Sequence, residues 1–127
     1  MAYLIVFLGA GLGGAARHGV NVLAGRLLGL PFPFGTLAVN IAGSFLMGVI
    51  AEYFALKSGL PMQWRLFLTT GILGGFTTFS AFSLEAGLLF ERGEQLLALA
   101  YILGSVMLSI GALFAALVLV RAVVSVP

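Results

Sequence analysis

Gly71-Ile72-Leu73-Gly74-Gly75-Phe76-Thr77-Thr78-Phe79-Ser80-Ala81-Phe82-Ser83 lies in the middle of an apolar run from Gln63 to Phe90. A helix that crosses a bilayer needs about 20 mostly apolar residues, and this run is long enough. Gly-Gly followed by Thr-Thr is poor helix material at its centre. Non-helical backbone at membrane depth survives only where protein or a wet cavity satisfies its polar groups. The stretch therefore predicts a span broken near its middle into two half-helices of about 11 to 13 residues, each about 17–20 Å long. Carbonyls freed at such a break bind a cation, and exposed N–H groups bind an anion. Phe79 and Phe82 follow three residues apart, flanked by the hydroxyls of Ser80 and Ser83. That spacing puts both rings on one helix face, either as packing or as the lining of a cavity.

The rest of the chain carries the same solvent signature. Its 127 residues include six Lys or Arg and four Glu, so 8% are charged and 61% hydrophobic. A soluble domain carries about a quarter charged residues. Three further apolar runs, about residues 3–28, 35–56 and 96–124, give four predicted transmembrane helices with the run at 63–90. Leu30-Pro31-Phe32-Pro33-Phe34, Lys57-Ser58-Gly59-Leu60-Pro61 and Glu91-Arg92-Gly93-Glu94 separate them. Prolines cannot continue a helix in the first two, and the third is a polar turn. Met1-Ala2-Tyr3 lacks a basic leader, so the first span is expected to be retained. The predicted fold is all-α, one domain over residues 1–127.

Several functions fall away on inventory. Cysteine is absent, the acids are Glu52, Glu85, Glu91 and Glu94, and His18 is the one histidine. These cannot build an ordinary catalytic triad, a paired-carboxylate site or a histidine-rich metal centre. Neither an enzyme nor a nucleic-acid binder is expected, because no basic run is present. The sidedness of charge is also informative. Lys57, Arg65 and Arg121 fall on one side of the membrane, and Arg26 and Arg92 on the other, with Arg17 deeper in the first span. A bias this small fits a chain that inserts both ways and pairs with an inverted copy of itself.

Polar residues inside the spans mark where function should sit. Gly9-Ala10-Gly11-Leu12-Gly13-Gly14 formally matches a dinucleotide fingerprint. No acid follows at the required distance, and close helix packing is the better reading. Arg17 within a span must face protein or water, either snorkelling to set helix depth or drawing an anion into a vestibule. Thr36, Asn40 and Ser44 recur every four residues on one face of the second span, and Tyr101, Ser105 and Ser109 do so on the fourth. Two helices thus each offer one side of a polar track.

Three stretches together resemble the fluoride exporter family, the Fluc or CrcB fluoride channels. They are Gly14-Ala15-Ala16-Arg17, Gly35-Thr36-Leu37-Ala38-Val39-Asn40-Ile41-Ala42-Gly43-Ser44-Phe45, and Gly74-Gly75-Phe76-Thr77-Thr78-Phe79-Ser80-Ala81-Phe82. The likeness covers essentially the whole chain. It implies a dual-topology, antiparallel homodimer in the bacterial cytoplasmic membrane, with two pores each lined by both subunits. It implies a structural sodium ion (Na+) at the dimer centre, held by backbone carbonyls that on this sequence belong to Gly74 and Thr77. Phe79 and Phe82 would line the fluoride path with Asn40, Thr36, Ser80, Ser83 and the Tyr101-Ser105-Ser109 stripe, and Arg17 would stand near a vestibule. Two departures show: Ala81 replaces a common threonine, and His18 a frequent aromatic. Glu85 receives no role.

These residue types suit fluoride, a small, strongly hydrated anion that accepts strong hydrogen bonds. A pore must replace its water with donors without trapping it. Amide and hydroxyl groups donate, and the positive edge of a phenylalanine ring contacts an anion without a full charge. The alternatives are a small four-span multidrug exporter and a non-transporting membrane subunit. The first needs an intramembrane glutamate in its first span, where this chain has Arg17. The second gives no reason to concentrate Thr-Thr-Phe-Ser-Ala-Phe-Ser at mid-span.

Overall fold

A computed structural model describes residues 1–29, 32–57 and 59–124. Leu30 and Pro31 of the first predicted interruption, and Ser58 of the second, lie outside the described residues. All regular structure among the described residues is helical: α1 (Ala2–Leu28), α2 (Phe34–Leu56), α3 (Met62–Leu66), a π-helical segment (Phe67–Leu73), a single turn α4 (Gly74–Phe76), α5 (Ser80–Glu91) and α6 (Gln95–Val124). Segments α3 through α5 form one interrupted rod, so four rods make the bundle.

The ends follow from local chemistry. Gly29 closes α1 in the left-handed region at φ 56°, and its N–H bonds the Gly25 carbonyl. Pro33 precedes α2 and Pro61 precedes α3, where a missing N–H costs nothing. Gly93, at φ 81°, turns the chain from α5 into α6.

Three stretches, Phe34–Leu56, Met62–Glu91 and Gln95–Val124, are long and apolar enough to cross a membrane. Helix α1, at 27 residues, has the length. Its glycines, Arg17 and His18 hold it below the others in apolar character, so the first predicted span is the least hydrophobic. The outside of the bundle is as apolar as its inside: Leu96, Phe7 and Met107 are each more than two-thirds exposed. Water would not tolerate that surface, whereas lipid does.

Two pairings are the most extensive in the bundle. Helices α2 and α6 pack over the greatest length, with Gly48 against the Leu113 carbonyl and Ala116. An ion pair between Arg121 Nε and Glu52 Oε2 ties their ends. Helix α1 packs on the π-helical segment through facing glycines. A Cβ on Gly9 would lie 2.9 Å from the Gly71 Cα, and one on Gly13 would strike the Ile72 carbonyl. Such backbone-to-backbone approach is available only to residues without side chains.

The interruption falls later than the sequence predicts. Gly74 and Gly75 are themselves helical, and the backbone becomes extended at Thr77 (φ −85°, ψ 158°). Helix α1 packs here: a Cβ on Gly75 would collide with the backbone of Ala10, so this glycine serves close packing. The helix before the gap therefore reaches Phe76, and the one after it is the 12-residue α5.

Candidate functional site: a neutral polar groove at the interruption

Hydrogen bonds at the interruption show how the chain leaves its helix without orphaning groups. Asn40, half-buried on α2, clamps Thr78 by both ends of its amide. Its Nδ2 donates to the Thr78 carbonyl and its Oδ1 accepts the Thr78 N–H, each at 2.9 Å. Thr78 Oγ1 accepts the Ala81 N–H at 3.1 Å, in the first turn of α5. Arg17 Nε donates to the Gly75 carbonyl at 3.2 Å. Thr77 Oγ1 turns back to the Leu73 carbonyl at 2.9 Å.

In an unbroken helix the Thr78 N–H would close onto Gly74 and the Ala81 N–H onto Thr77. Both N–H groups are diverted, the first to Asn40 and the second to the Thr78 hydroxyl. Gly74 and Thr77 thus lose their intrahelical partners, while Gly75 and Thr78 gain side-chain ones.

Beside the interruption runs a groove of about 350 Å³, open along one side. Asn40 and Ser44 of α2, Phe79 and Phe82 of the third rod, and Ser105 and Ser109 of α6 line it. No charged side chain is among its lining residues. The Ser105 and Ser109 hydroxyls are buried and have no hydrogen-bond partner among the described residues. Asn40 keeps one of its two N–H donors after the clamp. The rings of Phe79 and Phe82 lie 5.6 Å apart and tilted by 49°. They differ in exposure: Phe79 sits in the gap and is 78% exposed, whereas Phe82 on α5 is buried.

The other expected residues lie around the groove. Tyr101 is fully buried at one end, its ring 5.1 Å from Phe82 and its hydroxyl donating to Glu85 Oε1 at 3.1 Å. Thr36 is buried one turn before Asn40, in a separate cavity that Glu85 also lines. Ser80 and Ser83 are exposed and do not line the groove; Ser80 Oγ lies 3.4 Å from Thr78 Oγ1. Arg17 reaches the backbone of the third rod and lies outside the groove lining.

Comparison with known proteins gives the family. Residues 4–117 match the family described as "CrcB-like protein, Camphor Resistance (CrcB)". The chain belongs to the CrcB family. Among its relatives is the "Fluoride-specific ion channel FluC" of Granulibacter bethesdensis, 64% identical over 124 residues that make up 98% of each chain. Proteins of the same name from Rhodopseudomonas palustris and Methylobacterium nodulans are 58% and 60% identical. They cover 97% and 93% of this chain and 99% and 94% of their own.

Within this CrcB chain, sequence reasoning missed a third stripe. Gly9, Gly13, Arg17 and Asn21 recur every four residues along α1 and each meets another rod; Gly25 continues the spacing at the mouth of the second cavity. The same four-residue rule that finds the α2 and α6 stripes finds this one. The glycines hid it by matching a packing pattern. The clamp on Thr78 had no sequence signal, because it joins groups 38 positions apart.

Proposed function

We propose that this chain is a passive fluoride-selective channel of the bacterial cytoplasmic membrane, working as an antiparallel dual-topology homodimer with two pores. The observation that carries the reading is the groove. It gathers hydroxyl and amide donors and two phenylalanine rings beside a helix interruption, with no charge among them. A dehydrating fluoride ion needs donors, and it must also leave. A lysine in the path would hold it too long; neutral donors and ring edges replace its water at lower depth. The name borne by close relatives over the same length supports the choice of ion.

Several features support a second copy. The groove is a trough and needs another wall to become a conduit. Four helices of one copy are too few to enclose a path, and the near-balanced charges let an inverted copy insert. All four rods, α1 included, would then cross the bilayer, with the interruption at its middle.

The family resemblance implies a sodium ion, and the residues fit one. The carbonyls of Gly74 and Thr77, stripped of their helical partners, are neutral oxygen donors of the kind that coordinate sodium at unwound helices. Gly74 is exposed, with no packed neighbour to keep a second copy away. The ion would satisfy these carbonyls and join the two subunits. Asn40 pairs both backbone groups of Thr78 and Arg17 the carbonyl of Gly75 in the same stretch.

No nucleotide motif or coupling site accompanies the groove, which is why transport is passive. With a negative cell interior, the membrane potential drives fluoride outward. Because HF crosses membranes uncharged and dissociates inside, such an exit protects the cell.

Purified protein reconstituted in liposomes should release fluoride to an electrode and retain chloride. No fluoride release, or equal chloride release, would refute the channel. Phe79→Ile and Phe82→Ile should each suppress fluoride efflux by at least about 10-fold while the protein still elutes as wild type. Wild-type flux in both would remove the ring-edge account.

A further inference from the structure

A second cavity, of about 370 Å³, lies where α1 ends and α2 begins, lined in part by Asn21, Gly25, Phe32, Thr36 and Glu85. Tyr101 stands between it and the groove. One side of the Tyr101 ring meets Phe82 of the groove, and Phe32 of this cavity stands edge-on to it at 5.4 Å. Thr36 precedes Asn40 by one turn of α2, so the two cavities follow one another along that helix. Their chemistry differs. The groove is neutral, but this cavity contains the carboxylate of Glu85, which repels any anion that shares the space.

An anion here therefore needs a donor to offset that carboxylate. Tyr101 spends its hydroxyl proton on Glu85. Asn21 has donors to give. Its Oδ1 fills the space that a Cβ on Gly35 would need, against the Gly35 backbone. A carbonyl oxygen is favoured beside a Cα–H, where an amide NH2 would be left without an acceptor. The Asn21 NH2 accordingly points away from Gly35 and makes no hydrogen bond among the described residues. Asn21 sits one turn beyond Arg17, whose guanidinium is fixed on Gly75, so the stripe places the amide next in line toward the helix end.

We propose that Asn21 is an anion-contacting residue of this second cavity, donating through Nδ2 to fluoride as it passes between the α1–α2 end of the bundle and Tyr101. The inference rests on the fluoride-channel reading above. It also explains why Gly35 has no side chain: the Asn21 oxygen occupies that place and aims the amide nitrogen into the cavity.

The test separates this role from a packing role, because Asp keeps the oxygen against Gly35 and removes the donor. In fluoride-loaded liposomes, Asn21→Asp should lose about 100-fold and Asn21→Ala about 10-fold in initial efflux, with wild-type elution on size exclusion. Wild-type efflux from Asn21→Asp would overturn the proposal. Should Asn21→Asp fail to elute as wild type, Asn21→Ala decides: a loss near 10-fold supports a lost donor, and unchanged flux refutes it. Absence of fluoride efflux from the wild type would instead refute the channel reading itself, so the two failures are distinguishable.

Discussion

Helices α2 and α6 run without interruption for 23 and 30 residues, while the third rod changes geometry repeatedly between Met62 and Glu91. Both line the same groove, yet they contribute different kinds of group. An unbroken helix satisfies its own backbone, so α2 and α6 offer only side chains: Asn40, Ser44, Ser105 and Ser109. The third rod releases backbone carbonyls and N–H groups as well. Polar backbone inside an apolar solvent is costly unless each group is paired. The difference teaches that the regular helices exist partly to service the irregular one, and Asn40 is where that service is concentrated.

Removing Asn40 should break the comparison most severely. Asn40→Ala leaves the Thr78 N–H and carbonyl unpaired together, at about 1–3 kcal/mol for each group. Expected outcomes are fluoride efflux at the level of protein-free liposomes and a clearly lowered melting temperature in detergent. Asn40→Asp keeps the bond to the Thr78 N–H but sets a carboxylate against the Thr78 carbonyl. It should melt between wild type and Asn40→Ala. A melt of Asn40→Ala equal to wild type would show that the interruption stands without its clamp.

The π-helical segment offers a second, smaller probe. It is held by α1 through contacts with no room for a methyl group, whereas other glycines on α1 face open space. Gly13→Ala places a Cβ against the Ile72 carbonyl and the Phe76 N–H. Overpacking of this kind costs about 1–3 kcal/mol. Gly11→Ala meets nothing within 4 Å and should leave the melt unchanged or slightly raised, since alanine favours helix by about 1 kcal/mol. Equal melts for the two variants would mean that α1 can shift away from the third rod at no cost.

This contrast also explains what the sequence could and could not disclose. The rods were legible because length and apolar character are summed over many residues, so their limits moved by about one position. The stripes on α2 and α6 were legible because a four-residue period survives in any regular helix. In the third rod the backbone becomes extended at Thr77, inside the Gly-Gly-Phe-Thr-Thr stretch whose composition is legible as poor helix material. The position at which the backbone extends was not legible, because the Ala10 backbone that packs on Gly75 lies on α1, more than 60 positions away. Pairings such as Tyr101 with Glu85, or Arg17 with Gly75, have no local signature either. Charge sequence alone left Glu85 without a role, and only the bundle puts a phenol beside it.

The smallest effect discriminates most finely between packing and transport on a regular helix. Ser105 is 5% exposed, and its hydroxyl has no protein partner among the described residues. If that hydroxyl served only to fill space, Ser105→Ala would remove an unpaired donor and its desolvation cost, and stability would hold or rise. A fluoride donor behaves differently, because its partner arrives only with the ion. Ser105→Ala should then melt at or above the wild-type temperature and still conduct less, by about 5-fold for one hydrogen bond of about 1 kcal/mol. Stability and flux moving in opposite directions is a signature that no structural role produces. Asn40 is the counterpart on α2, where one side chain supports the backbone and faces the groove at once, so its loss must lower both. Ser105→Ala conducting like the wild type would assign the α6 hydroxyl to packing and leave the ring edges and Asn40 to carry the anion.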